Sequence, residues 1–304
     1  MSGRIAEVAG RRVKLSNLEK VLFPAAGLTK ADLIDYYERV TPVMLPHLAG
    51  RPLSLERYPD GIDAEGFMQK NASAYFPRWI RRARLAKQDG AVAHVVADEA
   101  ATLVYLANQA CVSLHVGLSR IDRIDHPDRM VLDLDPSDQD FEKVRRAAKD
   151  ARALLEEIGL VPFLQTTGSR GLHLWVPLDR SADFDQVRAF AASLAEVLEA
   201  RRPAELTTAQ RKAKRGDRVL LDVARNAYGQ TAVAPYSVRA RPGAPVATPL
   251  EWTELDDSRL APQRYTIKNL FRRLEKKGDP WARIERHARG LQAAQERLTA
   301  LATE

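Results

Sequence analysis

Between residues 129 and 224 the hydrophobic pattern switches between strand and helix repeats in the order strand, helix, strand, strand, helix, strand, and few folds accept that order. A strand at about 129–135 leads into a helix of about 139–158, where Phe141, Val144, Ala148, Ala151, Leu155 and Ile158 keep helical spacing and Gly159 supplies a stop. VPFLQ, the tight turn Thr166–Gly171 (TTGSRG) and LHLWVPL then read as a hairpin. A second helix of about Phe184–Ala200 carries Phe184, Val187, Ala191, Leu194 and Leu198, and the strand RVLLDVA closes the set. This βαββαβ order is the split βαβ, or ferredoxin-like, arrangement. It predicts an α+β protein in which the fourth and third strands lie on either side of the first.

That first strand, MVLDLDPSD (Met130–Asp138), turns Asp133 and Asp135 to one side and Leu132 and Leu134 to the other. Two carboxylates so close repel each other, and a divalent cation with hard oxygen ligands relieves that cost. The alternative is a plain strand end, with Asp135 starting a turn at Pro136 and Asp138 capping the next helix. From these residues alone both readings stay open. Asp222 on the fourth strand and His173 on the third bear on the choice. If both helices cover one face of the sheet, Asp133, Asp135, His173 and Asp222 share the open one. Two ions roughly 3.5–4 Å apart use such a set for in-line phosphoryl displacement. In the turn, two glycines permit close approach of a ligand. Its successive N–H groups, the Thr167 and Ser169 hydroxyls and Arg170 suit a triphosphate. A Gly-Ser-Arg-Gly turn alone is common; its place beside His173 is what gives it weight.

Charge points the same way. The chain of 304 residues carries a net charge of +7, which favours a polyanionic partner. Arg78, Arg81, Arg82, Arg84 and Lys87 form one basic cluster, and Arg201, Arg202, Arg211, Lys212, Lys214, Arg215 and Arg218 another. Such runs are usually solvated faces; two of them beside a carboxylate pair raise the case for nucleic-acid contact. The single cysteine, Cys111, excludes an internal disulfide and a cysteine-based zinc cluster, and reads as a small core residue. The N-terminus has no hydrophobic signal core and no apolar run suffices for a membrane span.

The remaining segments are less specific. Residues 1–12 read as a loose start. Thr29 is a good N-cap for a helix from about Lys30 to Val40, which Pro42 and Pro46 are expected to break. Asn17, Lys20 and Lys30 flank a turn containing Pro24 and Gly27, as surface charge or as an anion pocket. Phe67 follows Gly66 in a polar loop, as local core or as a base-stacking ring. His115 stands alone in an apolar run, where a core histidine is the default reading. Arg225, Arg239 and Arg241 follow the last strand, as surface arginines or phosphate contacts. A basic helix from Thr266 to Pro280 and an amphipathic helix of about Trp281–Leu301 complete the prediction.

DLDP, the GSRGLH turn and strand, and LLDVARNAYGQTAVAPYSVRARPGAPVATPLEW together resemble the polymerase domain of bacterial ligase D, from about Leu15 to Leu255. That family belongs to the archaeo-eukaryotic primase superfamily and serves non-homologous end joining. The resemblance implies a primase-polymerase fold over residues 1–304. Within it, an N-terminal α/β module of about 1–125 precedes a βαββαβ (RRM-like) catalytic core of about 126–255 and C-terminal helices of about 256–304. It implies a template-dependent nucleotidyltransferase that fills gaps and extends 3′ ends at DNA breaks, favouring ribonucleotides and using two Mn²⁺ or Mg²⁺ ions. Asp133, Asp135 and Asp222 match the metal carboxylates. His115, Thr167, Ser169, Arg170, His173, Arg225 and Arg239 match positions around the incoming nucleotide. Asn17, Lys20 and Lys30 match a 5′-phosphate pocket, and Phe67 a ring that packs on the template base. Implied partners are gapped or broken DNA, NTPs and dNTPs, a Ku-like end-binding protein and a separate ligase, since no lysine nucleotidylation motif is evident. The implied location is the bacterial cytosol, at the nucleoid. The rival readings are a two-metal nuclease and a non-catalytic DNA-end scaffold.

Overall fold

A computed structural model describes residues 4–87 and 89–303. The chain forms two units. The first comprises the chain through Gly117 together with Val233–Ala247 and Tyr265–Asp279; the second comprises Leu118–Ala232, Thr248–Arg264 and the chain from Pro280. The division read from sequence cuts the chain into contiguous stretches near residues 125 and 255, whereas the units interleave. The cause is long-range pairing: Ala234 N–H donates to the Leu114 carbonyl at 2.9 Å, which returns residues 233–247 to the first unit.

The first unit opens on a hairpin, β1 (Arg4–Val8) and β2 (Arg11–Leu15), where a loose start is expected from sequence. Ala9 and Gly10 both take positive φ, 47° and 76°, the two-residue turn whose twist matches a hairpin; alanine at the first position conceals it. After β3 (Val21–Phe23) and β4 (Leu28–Thr29), α1 spans Lys30–Leu48. Thr29 caps it as predicted: its hydroxyl oxygen accepts from Asp32 N–H, and its own N–H donates to the Asp32 carboxylate. The helix does not end near Val40 but runs through Pro42 and Pro46. Each interior proline costs about 3 kcal/mol or more. Continuing the helix keeps Met44 and Leu48 fully buried, which contributes roughly 1.5–3 kcal/mol per side chain. The Thr41 hydroxyl donates back to the Tyr37 carbonyl at 2.7 Å, a bond that favours a bend in the helix next to Pro42.

Next come β5 (Pro52–Arg57), β6 (Phe67–Gln69), β7 (Arg82–Lys87), β8 (Gly90–Val96), α2 (Ala100–Asn108) and β9 (Cys111–Gly117). Cys111 is buried, as expected, and burial pushes its thiol up to about 12, so it is an inert core group.

The second unit contains β10 (Arg129–Pro136), α3 (Phe141–Glu157), β11 (Phe163–Thr166), β12 (Leu172–Pro177), α4 (Phe184–Arg201), β13 (Leu206–Thr207) and β14 (Val219–Asp222). β15 (Thr231–Val233) follows, and its sheet has the order β15-β9-β5-β8-β7, with β6 paired to β5. β16 (Pro249–Leu250) joins the second sheet, of order β13-β14-β10-β12-β11-β16. The predicted βαββαβ core is therefore present, and β14 and β12 flank β10 as that fold requires.

Leu132 and Leu134 are buried on the side where α3 and α4 pack, while Asp133, Asp135 and Asp222 are partly exposed. The cap of α3 is Asp140, which accepts from Glu142 N–H, not Asp138. Asp138 accepts from Asp140 N–H and binds Lys143, so it braces the cap from outside. Two further helices start later than predicted. α5 covers Leu270–Lys277 and ends at Gly278, with φ 66°. The final helix divides into a 3-10 turn at Ile284–His287 and α6 (Gln292–Thr303). Trp281 is withdrawn from it into the core, its ring 6.0 Å from Trp175 and 6.1 Å from Phe163.

Candidate active site

Strand register assembles the centre of the second unit. Asp133 lies opposite Asp222 on one side and His173 on the other, and His173 lies opposite Gln165. Asp222, Asp133, His173 and Gln165 thus form one cross-strand row over four strands, each about 4.7–4.9 Å from the next. Asp135 stands two residues along β10, on the same face.

Each acid has its own neighbour. His173 Nε2 lies 3.4 Å from Asp133 Oδ1. Asp222 accepts from Ala224 N–H at 2.9 Å. Arg170 reaches both oxygens of Asp135, at 3.1 and 3.0 Å. Burial pushes the Asp135 carboxyl above its usual range, the Arg170 guanidinium opposes that, and the Asp133 charge adds to it. Among the described residues no group of three or more His, Cys, Asp or Glu is drawn together in a metal-holding arrangement. The carboxylates turn to their separate partners, as like charges do. Their chemistry still fits a hard divalent cation: three carboxylates on adjacent strands of one open face, one of them carrying an electrostatic cost that a cation would relieve.

The turn Thr167–Gly171 corrects one expectation. The Thr167 hydroxyl oxygen accepts from Ser169 N–H and Gly171 N–H, both at 3.2 Å. Those two amides are committed to the turn itself and are not turned to a phosphate, whereas the Arg170 side chain is exposed. Thr167 is buried and shapes the turn from within. Gly171 is required here, because a Cβ would overlap the Leu134 carbonyl oxygen. Gln263, which sequence reasoning missed, donates to the Ser169 carbonyl at 2.9 Å.

Two more supports were not singled out from sequence. Asn226, fully buried, pairs with Val131 as a strand would: Val131 N–H donates to its Oδ1 at 2.9 Å, and its Nδ2 donates to the Val131 carbonyl at 2.7 Å. An asparagine in an irregular stretch gives no local sign of this. Arg215, read only as part of a basic cluster, exerts its charge on Asp135. Other members of that cluster are spent locally: Arg218 donates to the Lys214 and Arg215 carbonyls, and Arg202 pairs with Asp150. Arg225 is exposed in the 3-10 turn Ala224–Asn226 directly after Asp222.

The other predicted residues belong to the first unit. His115 is not a core histidine: it is partly exposed, with Nε2 3.8 Å from Glu56 Oε2. Burial raises the Glu56 carboxyl, but the polar groups of His115, Ser113 and Tyr58 around it, with the Tyr58 hydroxyl donating to Oε1 at 2.9 Å, outweigh that and hold it at about 2. Arg239 is partly exposed, its N–H donating to the Pro245 carbonyl at 2.8 Å. Asn17, Lys20 and Lys30 gather at the N-terminus of α1. Lys20 N–H donates to the Asn17 carbonyl, and Lys30 N–H to the Lys20 carbonyl. Lys30 is buried, its Nζ 3.2 Å from the Asn108 carbonyl; burial and the Lys20 charge lower its pKa. Lys20 pairs with Asp60 at 2.5 Å. This is built structure rather than scattered surface charge. Phe67 is 48% exposed, which rules out local core, and the Arg57 guanidinium lies 5.4 Å from its ring centre.

An α+β core with in-register aspartates beside a basic, glycine-built turn suits metal-assisted phosphoryl chemistry. Residues 29–281 match the family model of the LigD primase-polymerase domain, and the chain belongs to that family. It is 37% identical over 292 residues to the multifunctional non-homologous end joining DNA repair protein LigD of Mycobacterium tuberculosis H37Rv, covering 91% of this chain and 38% of that protein. It is 32% identical over 272 residues to the bifunctional non-homologous end joining protein LigD of Bacillus subtilis 168, covering 89% of this chain and 44% of that protein. The chain thus spans less than half the length of these relatives. Among solved structures, the polymerase domain of Mycobacterium tuberculosis ligase D in complex with DNA superposes with a TM-score of 0.86 at 36% identity, covering 91% of this chain and 99% of that one. No helix among the described residues is long and apolar enough to cross a membrane.

Proposed function

We propose that this chain is a template-dependent primase-polymerase that fills gaps and extends 3′ ends at DNA breaks in non-homologous end joining, with a preference for ribonucleotides. The carrying observation is the row Asp222–Asp133–His173 with Asp135 beside it, next to the Thr167–Gly171 turn. Asp133, Asp135 and Asp222 would hold two Mn²⁺ or Mg²⁺ ions, which when bound lower the pKa of a primer 3′-hydroxyl and neutralise phosphate charge.

The chain's own groups supply orientation. Arg170 is a planar fork already engaged by a carboxylate, and it can exchange that partner for a phosphate. Ser169 offers a hydroxyl beside it, and His173 a ring nitrogen next to Asp133. The relatives' end-joining names and the DNA in the solved neighbour support a DNA substrate. The 5′-phosphate assignment of Asn17, Lys20 and Lys30 is supported by their convergence at the N-terminus of α1, where two lysine charges and the helix dipole favour an anion. Phe67 is the proposed template-base contact, supported by its exposure and the guanidinium beside it. His115, Arg225 and Arg239 keep their nucleotide assignment from the family resemblance. A Ku-like protein and a separate ligase are the proposed partners, in the bacterial cytosol at the nucleoid.

The test is a labelled, gapped primer-template incubated with Mn²⁺ and either NTPs or dNTPs. Longer strands are expected, more with NTPs. Asp133→Ala is expected to abolish extension while DNA binding persists. Shortened strands would point to a nuclease, and binding without incorporation to a scaffold.

A further inference from the structure

Tyr236 is fully buried and sits at φ 65°, in the left-handed region. For a bulky residue that conformation is an outlier, and it persists only where the surroundings over-determine it. Here they do. Tyr236 N–H donates to the Ala247 carbonyl at 2.7 Å, and its carbonyl accepts from the Tyr36 hydroxyl at 2.7 Å. Its own hydroxyl donates to Asp279 Oδ1 at 2.7 Å, and Asp279 Oδ2 lies 2.9 Å from His47 Nε2. The Asp279 and His47 side chains are 8% and 2% exposed. Burial, with the Asp279 charge beside it, pushes the Tyr236 hydroxyl well up, so it remains a proton donor.

Glycine would hold the same backbone without strain, and burying a carboxylate is costly. A cluster that accepts both costs to fix one turn is explained by what the turn holds. Ala234 N–H donates to the Leu114 carbonyl at 2.9 Å, and Leu114 N–H donates to the Ser237 hydroxyl oxygen at 2.7 Å. Both backbone groups of Leu114 are therefore held by this turn, and the next residue is His115. Val238 N–H donates to the Tyr37 hydroxyl at 3.2 Å, and that hydroxyl donates to the Val112 carbonyl at 2.8 Å. Arg239 follows directly.

We infer that Tyr36, Tyr236, Asp279 and His47 form a positioning clamp. By locking the Tyr236 turn, it sets the backbone that carries His115 and Arg239, and so tunes affinity for the incoming nucleotide. The nucleotide part rests on the polymerase reading above; the clamp itself does not. None of the four is a catalytic residue.

Two measurements on the full chain test it, with Tyr236→Phe and Asp279→Asn. The first is amide hydrogen exchange over residues 112–116 and 234–239, with β10 as an internal control. The variants are expected to exchange about tenfold faster in both segments and unchanged in β10. The second is steady-state extension on gapped DNA: the nucleotide KM is expected to rise about fivefold or more, with gapped-DNA affinity held within about twofold. Unchanged exchange overturns the clamp. Nucleotide KM and DNA affinity weakening in parallel also overturn it, since that is the mark of general destabilisation. If Asp279→Asn does not fold, Tyr236→Phe, which removes one oxygen atom, decides alone. A wild-type chain that incorporates no nucleotide overturns the polymerase reading and the nucleotide role with it, while exchange still decides whether the turn is clamped.

Discussion

Asn226→Ala is the substitution most directly calculable from the structure. Asn226 is fully buried and exchanges two hydrogen bonds with the Val131 backbone, at 2.9 and 2.7 Å. Alanine leaves one buried N–H and one buried carbonyl without these partners. Each costs about 1–3 kcal/mol when left unsatisfied, so the pair sets a loss of about 2–6 kcal/mol. A mid-range loss of about 4 kcal/mol lowers Tm by roughly 8–16 °C on the scale of a domain of about 150–250 residues. Asn226→Asp is expected to do no better: it keeps an acceptor for Val131 N–H but sets a carboxylate against the Val131 carbonyl. Urea unfolding followed by tryptophan fluorescence measures the effect, since Trp175 is buried on β12, the neighbour of β10. Extension should fall more than the folded fraction does, because Val131 lies two residues before Asp133. An Asn226→Ala midpoint within experimental error of wild type would refute the assignment of Asn226 as a substitute strand partner.

Three further outcomes follow from the same geometry. Asp135 has a raised folded pKa, so above the usual carboxylate range the fold binds more protons than the unfolded chain and stability falls as pH rises; Asp135→Asn should therefore raise Tm at pH 7, lose that gain toward pH 3, and abolish extension. Glu56 is depressed from 4.5 to about 2, so its contribution is full above pH 4.5 and lost as pH falls toward 2; Glu56→Gln should flatten the urea midpoint's pH dependence within that window. Lys30→Ala should weaken binding to gaps bearing a 5′-phosphate at least about threefold more than to gaps bearing a 5′-hydroxyl, as fits loss of one phosphate contact; equal loss on both in a titration removes Lys30 from the pocket.

What could be read from the sequence divides along a physical line. The β10-to-β14 core was legible because each element buries its own apolar stripe, so periodicity reports it, and the flanking of β10 by β14 and β12 follows from βαββαβ order. The aspartates were legible for the same reason: a strand's alternation shows which residues share a face. Features set by distant partners were not. α1 passes two prolines because Met44 and Leu48 find a core to enter, a fact absent from its own nineteen residues. Asn226 acts through two hydrogen bonds to a residue 95 positions away, and Gln263 through one to a residue 94 positions away. Thr167 shows the limit within one turn. Its composition predicts amides turned to a ligand, yet one hydroxyl oxygen captures two of them, and only the folded geometry decides between those uses. The chemistry was therefore readable where it sits on regular elements, while the groups that hold those elements in place became visible only in three dimensions. Tyr236 belongs to that second class. A tyrosine in a Pro-Tyr-Ser stretch reads as a break in a strand, and its φ of 65° and its buried acid partner are what assign it a task.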